Sequence, residues 1–217
     1  MVFNQARSVD ILPELKLDEE NFIEVVDEIK LLGVIIKNDL KWQSNTRKVI
    51  SNCFARMWLL RNLKKYGASE EQMLEVYTQQ VRSVAEMACP VWNSGLTVQE
   101  VCALERIQRT ALAIIRGEYH TSYSEALSYF NLKSLEDRRG EICLKFAIKA
   151  YKHPKFSLWF TKNMDTANTR SEKTPLVIVR GRTRRYLNSP LPYLNNLLNI
   201  HLMKKARTES VATCPEV

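Results

Sequence analysis

The pattern of hydrophobic and polar positions changes near residue 43 of this 217-residue chain. Before that point, apolar residues come in short runs rich in β-branched side chains, which is typical of strands. Residues 15–17 and 22–26 predict a small hairpin, and residues 29–36 predict one buried strand with Gly33 in its middle. Because glycine weakens the interior of a strand, we expect a bulge or the close approach of another backbone at Gly33.

From Ser44 onward the apolar positions recur every three or four residues, as in an amphipathic helix. The first predicted helix ends at Gly67, and capping boxes that begin at Ser69 and Thr97 predict the starts of a second and a third helix. Pro90 is expected to end or kink the second helix. The predicted inward positions of the first helix are Val49, Ile50, Cys53, Phe54, Met57 and Leu60.

The helical period fades toward the C-terminus. Residues 123–130 predict a short helix, and Ser134 begins a longer one that ends at Pro154. Residues 162–173 are polar and linker-like, and residues 193–203 form a weakly amphipathic segment.

These patterns predict an α+β protein that is mostly α. We expect a small antiparallel β-sheet at the N-terminus, a helical bundle and a partly irregular C-terminal extension. The predicted segments are 1–42 for the strands, 43–118 for the bundle, 119–160 for further helices, and 161–217 for a basic, partly disordered tail with a short helix.

Charge is distributed unevenly along the chain. The net charge is +8, but residues 1–30 hold three basic and eight acidic side chains, so the remaining residues carry +13. A stretch that basic favours a polyanionic partner through its field and through counterion release. The alternative is a solvated surface that keeps the protein soluble.

Several classes of function find no support in the sequence. The five cysteines include no C-x-x-C pair and no zinc-finger spacing, which indicates buried free thiols in an intracellular, nuclear or cytoplasmic setting. No apolar run reaches the ~20 residues of a membrane span, and no small-molecule substrate is evident. The acidic residues 18–20 fit a solvated turn better than a two-metal site, and no activated nucleophile is apparent. We therefore expect neither autonomous catalysis nor a bound cofactor.

Basic side chains on the predicted helices are the candidate contacts to nucleic acid. They are Arg47, Lys48, Arg56, Arg106 and Arg109. Arginine and lysine on helices contact phosphates and position a duplex without reading its sequence. The alternative is that these charges are simply the solvent faces of amphipathic helices.

A second basic run and four tryptophans complete the candidates. Arg182, Arg184 and Arg185 predict a flexible RNA or DNA contact or a nuclear-localisation-like patch, with a disordered linker as the alternative. Tryptophans stack on bases in some proteins, so Trp42, Trp58, Trp92 and Trp159 are candidates for such contacts. Apolar neighbours predict instead that Trp58 and Trp92 lie in the core.

Six short motifs occur in an order that resembles one known family. They are Leu32-Gly33-Val34 with Leu40-Lys41-Trp42, residues 59–63 (LLRNL), Pro90-Val91-Trp92, residues 104–109 (LERIQR), residues 135–139 (LEDRR), and residues 182–194 with RTRRY, SP and PYL. The set covers nearly the whole chain. It resembles the C-terminal part of reverse transcriptases of non-LTR retrotransposons of the LINE type, similar to Jockey and CR1 elements.

The resemblance implies a role in RNA-directed DNA synthesis. It implies that Leu32 and Gly33 belong to a primer-grip-like hairpin at the end of the palm, and that residues 43–118 form a thumb that holds an RNA/DNA template–primer. The family's metal-binding aspartates, with their Mg²⁺, would lie before Met1, in a palm domain of a longer polyprotein. The alternative is a helical protein-interaction module or a non-functional retrotransposon remnant.

Overall fold

The computed structural model describes residues 25–117, 122–163 and 174–212. The protein is α+β and mostly helical, with a small antiparallel two-stranded sheet at its N-terminal side. The chain divides into two compact units, Met1–Ala88 with Leu96–Leu135 and Cys89–Gly95 with Glu136–Val217. The hairpin predicted over residues 15–26 lies almost wholly outside the described residues, and so does most of the linker-like segment 162–173.

The sheet consists of β1, Glu28–Leu31, and β2, Val34–Lys37, with Leu31 opposite Val34. The prediction of a single buried strand over 29–36 was wrong. Leu32 and Gly33 both have left-handed backbones, with φ of 48° and 88°, so they form a two-residue hairpin turn. All four residues of β1 are exposed, whereas in β2 Val34 is buried and the other three residues are half-buried.

Helix α1, Gln43–Lys65, is the longest element of the first unit. Four of its six predicted inward residues are buried: Val49, Cys53, Met57 and Leu60. The hairpin is attached to the first turn of this helix, where Asn45 Oδ1 accepts a hydrogen bond from Ile35 N at 3.1 Å. The position of the hairpin is therefore linked to that of α1.

The second predicted helix is observed in three consecutive pieces. They are α2, Glu70–Val76, a π-helical segment, Tyr77–Arg82, and α3, Ser83–Glu86. Its buried residues are Met73, Tyr77, Val81 and Ala85. A strict four-residue step rotates the buried stripe around an α-helix, so the wider π-helical segment keeps that stripe facing the core. The capping box predicted at Ser69 is present.

Helices α5, Val98–Arg116, and α6, Tyr123–Tyr129, complete the first unit. Each begins with a complete capping box, at Thr97 and Ser122. Helix α5 ends at Gly117, whose φ is 93°. Lys64 Nζ donates to the carbonyl of Ile114 at 2.6 Å, which places a cation at the negative end of the α5 dipole.

A polar network connects the helices inside this unit. The Tyr77 hydroxyl donates to Gln108 Oε1 at 2.7 Å, and Gln108 Nε2 donates to Tyr123 Oη at 3.1 Å and to the Lys133 carbonyl at 2.9 Å. The Tyr123 hydroxyl in turn donates to Glu105. Because Gln108 is fully buried, these partners compensate for its lost hydration.

The second unit contains α4, Cys89–Trp92, most of α7, Leu135–Lys152, then α8, Arg184–Leu187, and α9, Pro190–Ala212. Helix α9 is longer than the segment predicted over 193–203. Its Asn199 bridges the backbone of Leu176, accepting from Leu176 N at 2.8 Å and donating to Leu176 O at 3.2 Å. Trp92 is 1% exposed, which confirms its predicted place in the core.

Candidate nucleic-acid interface

The hairpin turn presents an apolar side chain to solvent. Leu32 is 93% exposed. Its backbone is left-handed, a conformation that is energetically unfavourable for leucine. Gly33 approaches the Met87 side chain, since a Cβ added at Gly33 would lie 3.2 Å from Met87 Cε. The close approach expected at Gly33 is therefore to a side chain, at a turn. An exposed residue in an unfavourable conformation is a candidate for a functional contact.

The solvent face of α1 carries two of the predicted basic residues, Arg47 and Lys48, both exposed. Within the described residues neither has an ion pair with a carboxylate. The same face also carries Arg61 and Lys65, which were not predicted as contacts. Their signal in the sequence is that both lie off the apolar stripe.

Trp58 lies on this basic face, and the prediction that it belongs to the core was wrong. It is 62% exposed. A helix turns about 100° per residue, so Trp58, eleven residues after Arg47, lies within about 20° of it around the helix axis. The buried neighbour Met57 points about 100° away. Apolar neighbours in sequence therefore do not place Trp58 inside.

Arg56 does not share this arrangement. It lies on the side of α1 toward the π-helical segment, and its Nη1 donates to the carbonyl oxygen of Gln80 at 2.6 Å. A guanidinium held against the backbone is less available to a phosphate than that of Arg47. The predicted residues of α1 thus differ in what they contact.

Helix α5 carries Arg106 and Arg109 on its exposed side. The Arg109 guanidinium lies 5.1 Å from the centre of the Tyr123 ring, and that of Arg116, two turns further along, lies 4.4 Å from the Tyr129 ring. Stacking on an aromatic face holds a guanidinium in place without removing its charge. A cavity of about 330 Å³ lies between α5 and α6, and Arg109 and Arg116 are among its lining residues.

The C-terminal basic run lies in the second unit. Arg182, Arg184 and Arg185 are all exposed. Thr183 caps the single-turn helix α8, its Oγ1 accepting from Tyr186 N at 3.2 Å. Arg184 and Arg185, at the end of the run, are therefore helical where a flexible segment was predicted.

One carboxylate offsets basic charge at the base of the hairpin. Asp39 lies 3.9 Å from Lys37 Nζ and 3.4 Å from Lys41 Nζ. Burial acts to raise the pKa of Asp39, but the hydrogen bond from Lys41 N and the two lysine charges outweigh it, so the pKa is lowered. These two lysines are consequently less available to a polyanion than Arg47 and Lys48.

The described residues offer no group of three or more metal-ligating side chains, and none of their helices is long and apolar enough to cross a membrane. The predicted contacts are divided between the two units: Leu32, Gly33, Arg47, Lys48, Arg56, Arg106 and Arg109 belong to the first, and Arg182, Arg184 and Arg185 to the second. Comparison with family models, curated proteins and solved structures found no significant match to this chain.

Proposed function

We propose that this chain is part of an RNA-directed DNA polymerase similar to those of non-LTR retrotransposons, and that its first unit holds the template–primer duplex. The ordered motifs of that family support the proposal. The observation that carries it is the solvent face of α1, where Arg47, Trp58 and Lys65 lie on one side of a helix, all of them exposed.

The spacing of this face suits a nucleic-acid backbone. Arg47 and Trp58 are separated by about 16 Å along the helix axis, and Lys65 lies about 10 Å further on. Phosphates follow one another along a duplex, so cations at several points of one helix contact more than one phosphate. Such contacts are independent of base sequence, as a polymerase that copies any template requires.

The hairpin turn supplies the second part of the proposal. In this role, the exposed Leu32 and the backbone of Gly33 contact the primer strand, as the family resemblance implies. Asn45 links β2 to the start of α1, so the turn and Arg47 belong to one unit. The metal-dependent chemistry is assigned to the family's palm aspartates with their Mg²⁺, and no catalytic step is assigned to the described residues.

Binding of an RNA–DNA hybrid over a range of salt concentrations tests the proposal. We expect the purified chain to bind a fluorescent hybrid at low salt, and the affinity to fall steeply between about 50 and 200 mM salt. Undetectable binding at low salt would refute it and favour a helical protein-interaction module or a non-functional remnant. Metal-dependent extension of a primed RNA by this chain alone would refute the assignment of catalysis elsewhere.

A further inference from the structure

A column of three aromatic rings stands on the surface of the second unit, just after α7. The ring centres of His153 and Phe156 are 4.8 Å apart, and those of Phe156 and Trp159 are also 4.8 Å apart. Phe156 is 41% exposed and Trp159 is 43% exposed, and His153 is exposed as well. We call these residues the aromatic column.

The planes of neighbouring rings are tilted by 32° and 44°, and the backbone explains why the rings lie in a row. After α7 the chain continues in turns with three-residue hydrogen bonds, from Phe156 N to His153 O at 3.1 Å and from Trp159 N to Phe156 O at 3.0 Å. In 3₁₀ geometry, side chains three residues apart eclipse one another. The Lys155 N–H, which donates to His153 Nδ1 at 3.2 Å, holds the imidazole at the start of the column.

The chain that follows the column is also fixed by backbone hydrogen bonds. Val177 N donates to the Thr161 carbonyl at 2.9 Å, and Asn163 N donates to that of Pro175 at 3.0 Å. The rings are therefore presented by a segment that is hydrogen-bonded at both ends. A rigid presentation lowers the entropy lost when a ligand stacks on the rings.

The stretch of sequence that contains the aromatic column is basic. Residues 142–163 contain five lysines and no aspartate or glutamate. All five lysines are exposed: Lys145, Lys149, Lys152, Lys155 and Lys162. Within the described part of the chain, none of them forms an ion pair with a carboxylate. Exposed aromatic rings near positive charges suit a partner that has both flat apolar surfaces and negative charge.

We propose that the aromatic column binds single-stranded nucleic acid, with bases stacked on its rings and the lysines on the phosphates. Single-stranded binding proteins combine these two features. In a duplex the base faces are covered by neighbouring bases, so the column selects unpaired strands. A cavity of about 490 Å³ beside it, lined by Tyr151, Leu158 and Lys162 among others, provides room for a displaced base or sugar. This inference rests on the proposed polymerase role, in which an unpaired template strand is present.

Binding of labelled oligouridylate and of a duplex, each measured with the full chain, tests this proposal. We expect Trp159→Leu to weaken oligouridylate binding about tenfold and to leave duplex binding unchanged. Oligouridylate should also quench tryptophan fluorescence in the wild type, and less in the variant. Ile178→Ala is the control, because Ile178 is 61% exposed in the second unit and belongs neither to the column nor to the lining of the cavity, and it should bind like the wild type.

The outcomes separate this inference from the proposed function. If the wild type binds duplex but not oligouridylate, or if Trp159→Leu binds oligouridylate normally while Lys152→Gln with Lys155→Gln does not, the column is not a stacking site. If oligouridylate binds through Trp159 but no duplex or hybrid binds at low salt, the single-strand site at the column is supported and the template–primer role of the first unit is refuted. Circular dichroism of each variant identifies a change caused by misfolding.

Discussion

Arg56 donates from Nη1 to the carbonyl oxygen of Gln80 at 2.6 Å, across the contact between α1 and the π-helical segment. Arg47, nine residues earlier, has no such bond to the backbone in the described residues. The two arginines are both exposed, and both were predicted to contact phosphate. Their surroundings now assign them different roles.

Replacing each arginine by alanine should separate stability from binding. We expect Arg56→Ala to lower the free energy of unfolding by about 1 kcal/mol, because a hydrogen bond to the backbone is lost. Arg47→Ala should change it by less than about 0.5 kcal/mol, as is usual for a surface substitution. Urea unfolding measures both values. Equal losses of stability would contradict the distinction.

The hairpin turn should be more stable with a residue that tolerates its backbone. We expect Leu32→Asn to stabilise the first unit by about 1 kcal/mol, because asparagine adopts the left-handed conformation more readily than leucine. The same variant should bind the hybrid more weakly if Leu32 contacts the primer. Thermal unfolding and hybrid affinity are the two measurements.

Gly33→Ala is the opposite test of the same turn. We expect it to destabilise by about 1 kcal/mol or more, since φ of 88° strains alanine and its Cβ would press on Met87 Cε. An unchanged stability in this variant, or a destabilised Leu32→Asn, would mean that the turn differs from the one described.

The buried glutamine of the first unit should be sensitive to truncation. Gln108→Ala removes a hydrogen-bond partner from Tyr77, Tyr123 and the Lys133 carbonyl at once. We expect the free energy of unfolding to fall by about 3 kcal/mol. Tyr77→Phe removes one hydroxyl and should lose about 1 kcal/mol. Urea unfolding of the two variants gives the comparison. If Gln108→Ala loses no more than Tyr77→Phe, the network does not act as a unit.

Alkaline pH should destabilise the first unit through Cys53. Burial raises the pKa of this thiol to about 12, against the opposing effect of the Arg56 charge. The folded state therefore favours the neutral thiol. The buried neutral thiol contributes fully to the free energy of unfolding below its ordinary pKa of 9.0. This contribution is lost as the pH rises toward 12, because the thiol ionises first in the unfolded chain.

Cys53→Ala provides the measurement of that contribution. We expect the stability advantage of the wild type over this variant to shrink by about 1.4 kcal/mol per pH unit above pH 9. Urea unfolding of both proteins at several alkaline pH values tests it. An advantage that does not change with pH would show that the thiol is not shielded as described.

The helices could largely be predicted because their signals are local. The capping boxes at Ser69 and Thr97, and the glycines that follow α1 and α5, act over three or four residues. The family resemblance implies a hairpin at Leu32 and Gly33, but the hydrophobic pattern alone predicts one strand there, because the turn begins with Leu32. Two-residue turns of this kind are usually marked by asparagine or aspartate before glycine, so a leucine concealed the turn inside a β-branched run.

The candidate interface was predictable only in part. Arg47 and Lys48 follow from the helical period, but Trp58 was misplaced because apolar neighbours were counted without their angle around the helix. Trp159 was a candidate for base stacking, but the aromatic column could not be predicted, since the spacing of His153, Phe156 and Trp159 brings the rings into a row only in 3₁₀ geometry. The contact between Arg56 and Gln80 depends on tertiary packing, which no local pattern encodes.

The most direct test of the proposed function is the salt dependence of hybrid binding in variants of the α1 face. Each phosphate contact contributes about 0.9 to the slope of log affinity against log salt concentration. We expect the double variant Arg47→Ala with Lys65→Ala to lose about two phosphate contacts, which reduces the magnitude of the slope by about 1.8. Arg56→Ala should leave the slope unchanged. A double variant with the slope and affinity of the wild type would contradict the claim that this face of α1 holds the duplex.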